Sequence, residues 1–152
     1  MIRNLCSAVV MCLAFAGSVS SQPTSSDPAP AGNYKLDPAH SRLIFQISHL
    51  GFSNYTALFT TFDATLTFNP DAPETMVLEA TVDAGSVETN YPDPGFDFNA
   101  VITGADLLDT KTYPQMTYKS TAITLTGEKT ARVTGDLTLH GVTKPVVLDV
   151  TW

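Results

Sequence analysis

Apolar residues recur at every second position through most of this chain, and that period constrains its fold more than any other feature. Leu43, Phe45 and Ile47 alternate with Arg42, Gln46 and Ser48, with Ile44 interrupting the outer set. Phe62, Ala64, Leu66 and Phe68 alternate with Asp63, Thr65 and Thr67, and Met76, Leu78, Ala80 and Val82 with Val77, Glu79, Thr81 and Asp83. Met116 and Tyr118 alternate with Thr117 and Lys119. Val133, Leu137 and Leu139 oppose Thr134, Asp136 and Thr138, and Val146, Leu148 and Val150 close the series. Successive side chains of a strand point to opposite faces, so this pattern predicts half-buried strands in an antiparallel meander. Turn signals fall between the runs at Asn69-Pro70-Asp71-Ala72-Pro73, Thr126-Gly127-Glu128 and His140-Gly141. The one helical candidate is short, capped by Thr103, covering residues 104–109, and stopped by Pro114. The expected fold class is all-β.

The first residues have the layout of an export leader. Arg3 supplies the positive region, Leu5 to Ala16 an apolar run, and Gly17, Ser18 and Ser20 the small residues before a cut after Ser20. The run is too short to span a bilayer, which needs roughly 20 residues. Residues 21–33 are rich in Pro, Ser and Ala without apolar periodicity and are expected to be a disordered linker, with the domain covering 34–152. Cys6 and Cys12 lie inside the leader, so the mature domain carries no disulfide or thiolate chemistry. Met11 before Cys12 argues against a lipid anchor. The expected location is periplasmic or secreted.

Net charge is −7, and loss of Arg3 with the leader deepens it to −8. Such a domain repels phosphate backbones and anionic membrane surfaces alike, so any meeting with lipid proceeds through apolar surface.

Three stretches, in order, carry a family resemblance. The first is Asp37-Pro38-Ala39-His40-Ser41-Arg42-Leu43-Ile44-Phe45-Gln46-Ile47-Ser48-His49-Leu50-Gly51, followed by Phe59-Thr60-Thr61-Phe62-Asp63. The second is Ser86-Val87-Glu88-Thr89-Asn90, leading through Leu107-Leu108-Asp109 to Tyr113-Pro114-Gln115-Met116-Thr117-Tyr118. The third, the most specific, runs Val133-Thr134-Gly135-Asp136-Leu137-Thr138-Leu139-His140-Gly141-Val142-Thr143-Lys144-Pro145-Val146. Together they resemble the YceI-like family of exported, lipocalin-like proteins associated with polyisoprenoid binding. The resemblance implies a lipocalin-like antiparallel barrel around an amphiphilic isoprenoid. Two departures qualify it. Tyr91 to Asn99 replaces a more usual Arg-Asp and His-Leu cluster, so that cluster's role is not carried over. The family domain also continues past the position of Val150, so the resemblance implies a fragment whose barrel lacks its closing strands and exposes an edge from Val146 to Trp152.

Polar candidates for chemistry read as structural. Asp37, His40 and Ser41 are too close in sequence for a triad, whose members converge from different elements. Asp93, Asp97 and Asp109 lack calcium-loop spacing, and no histidine has a metal-ligand partner at a recognised spacing. His140 reads as a turn residue. His49 shares the inward parity of Leu43, Phe45 and Ile47 and is expected either satisfied in the core or touching a ligand head group. The sequon Asn54-Tyr55-Thr56 is idle in a bacterial setting. No cofactor, metal or catalytic set is expected.

The apolar stripe therefore carries the functional expectation. The inward residues expected at a ligand are Leu43, Phe45, Ile47 and His49 on the first run, with Phe52, Phe59 and Phe62 after it. Leu78, Met116, Tyr118, Leu137 and Leu139 complete the set. Periodicity alone does not separate a hollow barrel from a packed one; the resemblance points to the hollow one. The leading reading is carriage or sequestration of a long-chain amphiphilic isoprenoid, without catalysis. The alternative is a packed barrel that binds a partner protein at the cell envelope. Expected partners are that lipid and a second copy of the chain in a homodimer, with no nucleic acid and no stable membrane insertion once the leader is removed.

Overall fold

A computed structural model describes residues 29–152; the leader over 1–20 and most of the linker lie outside the described residues. Nine strands form two antiparallel sheets. They are β1 (Gly32–Lys35), β2 (Leu43–His49), β3 (Ser53–Phe59), β4 (Phe62–Phe68), β5 (Val77–Asp83), β6 (Val87–Glu88), β7 (Gln115–Gly127), β8 (Thr130–Leu139) and β9 (Val142–Thr151). The larger sheet has the order β1-β4-β5-β7-β8-β9 and the smaller β2-β3-β6. The fold is all-β with one short helix, as the alternation predicts. The sheets do not close into a ring: β9 pairs only with β8, and β2 only with β3. The first strand starts at Gly32, inside the stretch expected to be linker.

The helix, α1, spans Phe98–Thr103, immediately before the expected 104–109. Asp97 rather than Thr103 starts it, its carboxylate accepting from the Ala100 N–H at 2.9 Å. Thr103 is instead the last helical residue, its hydroxyl donating to the Asn99 carbonyl at 2.9 Å. Ile102 of this helix packs against the core cluster of Phe59, Ala84, Val87 and Met116.

Two tight turns need left-handed backbone. His140 (φ 52°) and Gly141 (φ 72°) link β8 to β9 with positive φ at both central positions, the signature of a type I′ hairpin. A Cβ on Gly141 would also come within 2.5 Å of the Tyr113 ring. Leu50 (φ 54°) and Gly51 (φ 77°) turn β2 into β3, and the Phe52 N–H donates to the His49 carbonyl at 3.1 Å.

The inner face holds two apolar clusters. One is built on Met76, Tyr118, Ile123, Ala131 and Val133. The other joins the sheets through Phe59, Ala84, Val87 and Met116, with Leu43, Phe45 and Val82 against them. A bulge in β7 switches which parity of that strand faces inward. Ser120 pairs with Gly135 but Ala122 with Thr134, so Thr121 is an extra residue. Met116 and Tyr118 point inward before it, Ile123 and Leu125 after it.

Five residues expected to face inward are exposed. From Gln46 onward every residue of β2 is exposed, so Ile47 and His49 share the face of Phe45 without being covered. Phe52 lies in the turn beyond β2 and is exposed. Leu139 lies past Thr117–Thr138, the last residue pair joining β7 and β8, and faces the exposed Val142 alone. Leu148, inward by its pairing with Val133, is also largely open to solvent because β9 has no outer neighbour.

Candidate functional site

At the end of the large sheet near the β7–β8 turn lies an apolar cavity of about 250 Å³. Leu66, Phe68, Met76 and Leu78 form one wall, from β4, β5 and the 3₁₀ turn before it. Ile123, Leu125, Ala131, Val133 and Val150 form the other, from β7, β8 and β9. Tyr34 of β1, Trp152 after β9, and Ala29 complete it. No charged side chain lines the space. Phe68 holds the rim in two edge-on contacts: the Tyr34 ring is centred 6.0 Å away and the Trp152 ring 6.1 Å. Trp152 follows the outermost strand while Phe68 sits on the second strand of the same sheet, so the sheet curls until the end of its far edge strand reaches the strand next to its near edge. The Tyr34 hydroxyl donates to the Pro30 carbonyl at 2.6 Å and the Trp152 N–H to the Lys129 carbonyl at 3.1 Å, anchoring both aromatic residues.

Of the residues expected at a ligand, Leu78 lines this cavity, and Tyr118 and Leu137 belong to the cluster around it. Leu43, Phe45, Phe59 and Met116 belong to the second cluster, where the Phe45 and Phe59 rings stack at 5.0 Å. Phe62 is half-buried opposite Val82. Ile47, His49, Phe52 and Leu139 are exposed, as above. Sequence reasoning missed Ile123 and Leu125 because the bulge reverses their parity. It missed Tyr34 because β1 has only four residues, and Trp152 because no alternation extends to it.

Tyr118 is buried, and its hydroxyl donates to the Val133 carbonyl at 3.0 Å. Its pKa is raised, first by burial and then by the negative charge of Asp136. The Ser86–Asn90 motif also has a structural use. Thr89 donates through both its N–H and its hydroxyl to the Asn99 side-chain oxygen, at 2.9 and 2.6 Å, and Tyr55 donates to the Thr89 carbonyl at 2.9 Å.

The polar candidates do not converge. His40 Nδ1 lies 2.7 Å from the Asp37 carboxylate, and both side chains are exposed. That bond, then the one from the Ala39 N–H, holds the Asp37 carboxyl below its ordinary range. Ser41 donates to the Asp37 backbone carbonyl, which makes the trio a local turn. The His140 ring lies against Tyr113 at a tilt of 50°, centroids 4.5 Å apart. Among the described residues no group of three or more His, Cys, Asp or Glu is arranged to hold a metal ion.

Residues 34–152 match the YceI-like domain. A UPF0312 protein of Pseudomonas putida strain W619 is 41% identical over 130 residues, covering 84% of this chain and 66% of that protein. The UPF0312 protein of Ectopseudomonas mendocina strain ymp is 36% identical over 150 residues, covering 97% of this chain and 72% of the relative. The chain thus spans about two thirds of the length of the first curated relatives it matches. Among solved structures, Burkholderia cenocepacia BcnA superposes with a TM-score of 0.67 at 31% identity, over 76% of this chain and 69% of that one. The Campylobacter jejuni YCEI protein gives 0.56 at 32% identity, over 76% and 66%. The matched span contains the three motif stretches and every strand from β2 to β9, and this chain belongs to the YceI-like family.

Proposed function

We propose that this chain binds the hydrocarbon tail of an amphiphilic isoprenoid lipid in an extracytoplasmic compartment and carries or sequesters it without chemical change. The observation that carries the reading is the cavity of about 250 Å³ walled only by apolar residues. Walls that offer water no hydrogen-bond partner favour an apolar guest. Its volume lies just under the ~300–1,000 Å³ of typical ligand pockets, so it takes a segment of tail while the remainder runs out through the mouth. With no charge in the walls, a charged head group stays outside.

Energetics constrain the tail length. Each buried CH₂ contributes about 0.8 kcal/mol, and association costs an estimated ~4–15 kcal/mol. A chain of about five carbons does not recover that cost; every further methylene that the walls and mouth cover adds to the surplus, so a long tail is favoured over a short one.

Organic extraction of the purified protein, followed by mass spectrometry, tests the proposal. The expected result is a long-chain lipid in equimolar amount. A lipid-free extract that does not take up added prenyl chains sinks it and leaves the partner-binding module. Trp152 is the only tryptophan and lies in the cavity wall, so its fluorescence should change as a tail enters.

A further inference from the structure

The four most exposed large apolar side chains among the described residues all sit on one hairpin, β2–β3. Phe52 is 92% exposed, Leu50 79%, Ile44 59% and Ile47 58%. From Leu43 to Phe62 there is no Asp, Glu, Lys or Arg, the longest such run among the described residues, in a chain with 15 acidic and 8 basic side chains. Positive φ at Leu50 and Gly51 fixes the turn, and a leucine occupies a position where asparagine or glycine fits with less strain.

We propose that the tip of this hairpin inserts Leu50 and Phe52 into the interface of a bilayer of neutral, zwitterionic lipids. A narrow turn offering two side chains does not supply the ~800 Å² per partner that a stable protein interface uses. A bilayer interface accepts isolated apolar side chains without a complementary shape. Charge selects the kind of bilayer. The net charge of −7 opposes an anionic surface, and the uncharged hairpin has nothing to offset that repulsion. Zwitterionic head groups impose no such repulsion. The docking site is separate from the cavity: none of the hairpin's residues lines it.

Cosedimentation of the protein with phosphatidylcholine vesicles, and with vesicles that also contain phosphatidylglycerol, tests the proposal. The protein should partition onto the first and less onto the second, and added salt should restore the second by screening the repulsion. Phe52→Ser and Leu50→Asn should each lower partitioning about tenfold or more, from the apolar burial lost. Val147→Ser, at an exposed apolar site on β9, should leave it unchanged. With Trp152→Phe as background, Phe52→Trp should shift its emission to the blue when vesicles are added. No partitioning onto phosphatidylcholine, or equal partitioning of Phe52→Ser and the unsubstituted protein, overturns the proposal. So does self-association that depends on Phe52 without vesicle binding. The Trp152 response to added prenyl chains should survive Phe52→Ser, so loss of docking and loss of tail binding are read separately.

Discussion

Beneath the Tyr118 ring, Gly135 has room for a hydrogen and nothing larger. A Cβ there would lie 2.5 Å from the Tyr118 ring and 2.5 Å from the Lys119 carbonyl oxygen, one of them backbone that cannot easily yield. Gly135→Ala is therefore expected to cost about 1–3 kcal/mol in a urea titration, through forced repacking. Tyr118→Phe keeps the ring and deletes one buried O–H bond, for a loss of about 1 kcal/mol. The same residue gives a pH signature. Its pKa is higher in the fold than in the unfolded chain, where it is ordinary at about 10. The unfolded chain therefore releases the proton first as pH rises. The stabilisation is complete below that value and is lost as pH climbs through the raised folded-state pKa. Tyr118→Phe should flatten this alkaline limb, measured as denaturation midpoint against pH. The inward parity of Tyr118 is legible in its sequence neighbours. That of His49 is equally legible yet leads to an exposed side chain, because parity reports which face a residue takes and not whether anything covers that face.

Among the elements, α1 depends on Asp97. Asp97→Ala removes the acceptor for the Ala100 N–H and should cost roughly 0.5–2 kcal/mol, seen as a lower thermal midpoint. Leu50→Asn acts in the opposite sense. Asparagine tolerates φ near 54° better than leucine, so the variant should unfold at a higher temperature even as vesicle docking weakens. A fall in midpoint for Leu50→Asn would mean the turn's backbone is not the source of strain. The strands with clear alternation, β2, β4, β5, β7, β8 and β9, were readable from residue order. β1 and β6 are too short to show a period, with four and two residues. β3 hides for another reason: Ala57, Leu58 and Phe59 are consecutive apolar residues, with Leu58 on the opposite face from its neighbours. The helix lies immediately before the expected span because Thr103 and Asp97 are both competent caps, and Ile102 and Leu108 both pack on the same cluster, so apolar residues alone do not choose between the two spans.

For the whole molecule, the question is which part of the inner face is filled. Alternation is the same on either side of the β7 bulge, so residue order does not separate the packed cluster around Phe59 from the hollow one around Ala131. Paired substitutions do. Ala131→Leu extends into the cavity and should raise stability by about 0.5–2 kcal/mol while reducing tail uptake. Ala84→Leu, 2% exposed in the packed cluster, should instead lower stability by about 1–3 kcal/mol. Comparison of the two denaturation curves checks both. The outer edge of this architecture is partly guarded: Pro145 and Lys144 lie on β9, where a missing N–H and a charge discourage further strand pairing.

Thr121 gives β7 the equivalent of a reading frame. Were the ladder to take it in as an ordinary rung, everything downstream to the turn would be translated out of register with its own chemistry. Ile123 and Leu125 would rotate to the water, while the hydroxyls of Thr124 and Thr126 would be delivered to the chamber. An oily compartment would become a wet one with no apolar residue removed from the chain.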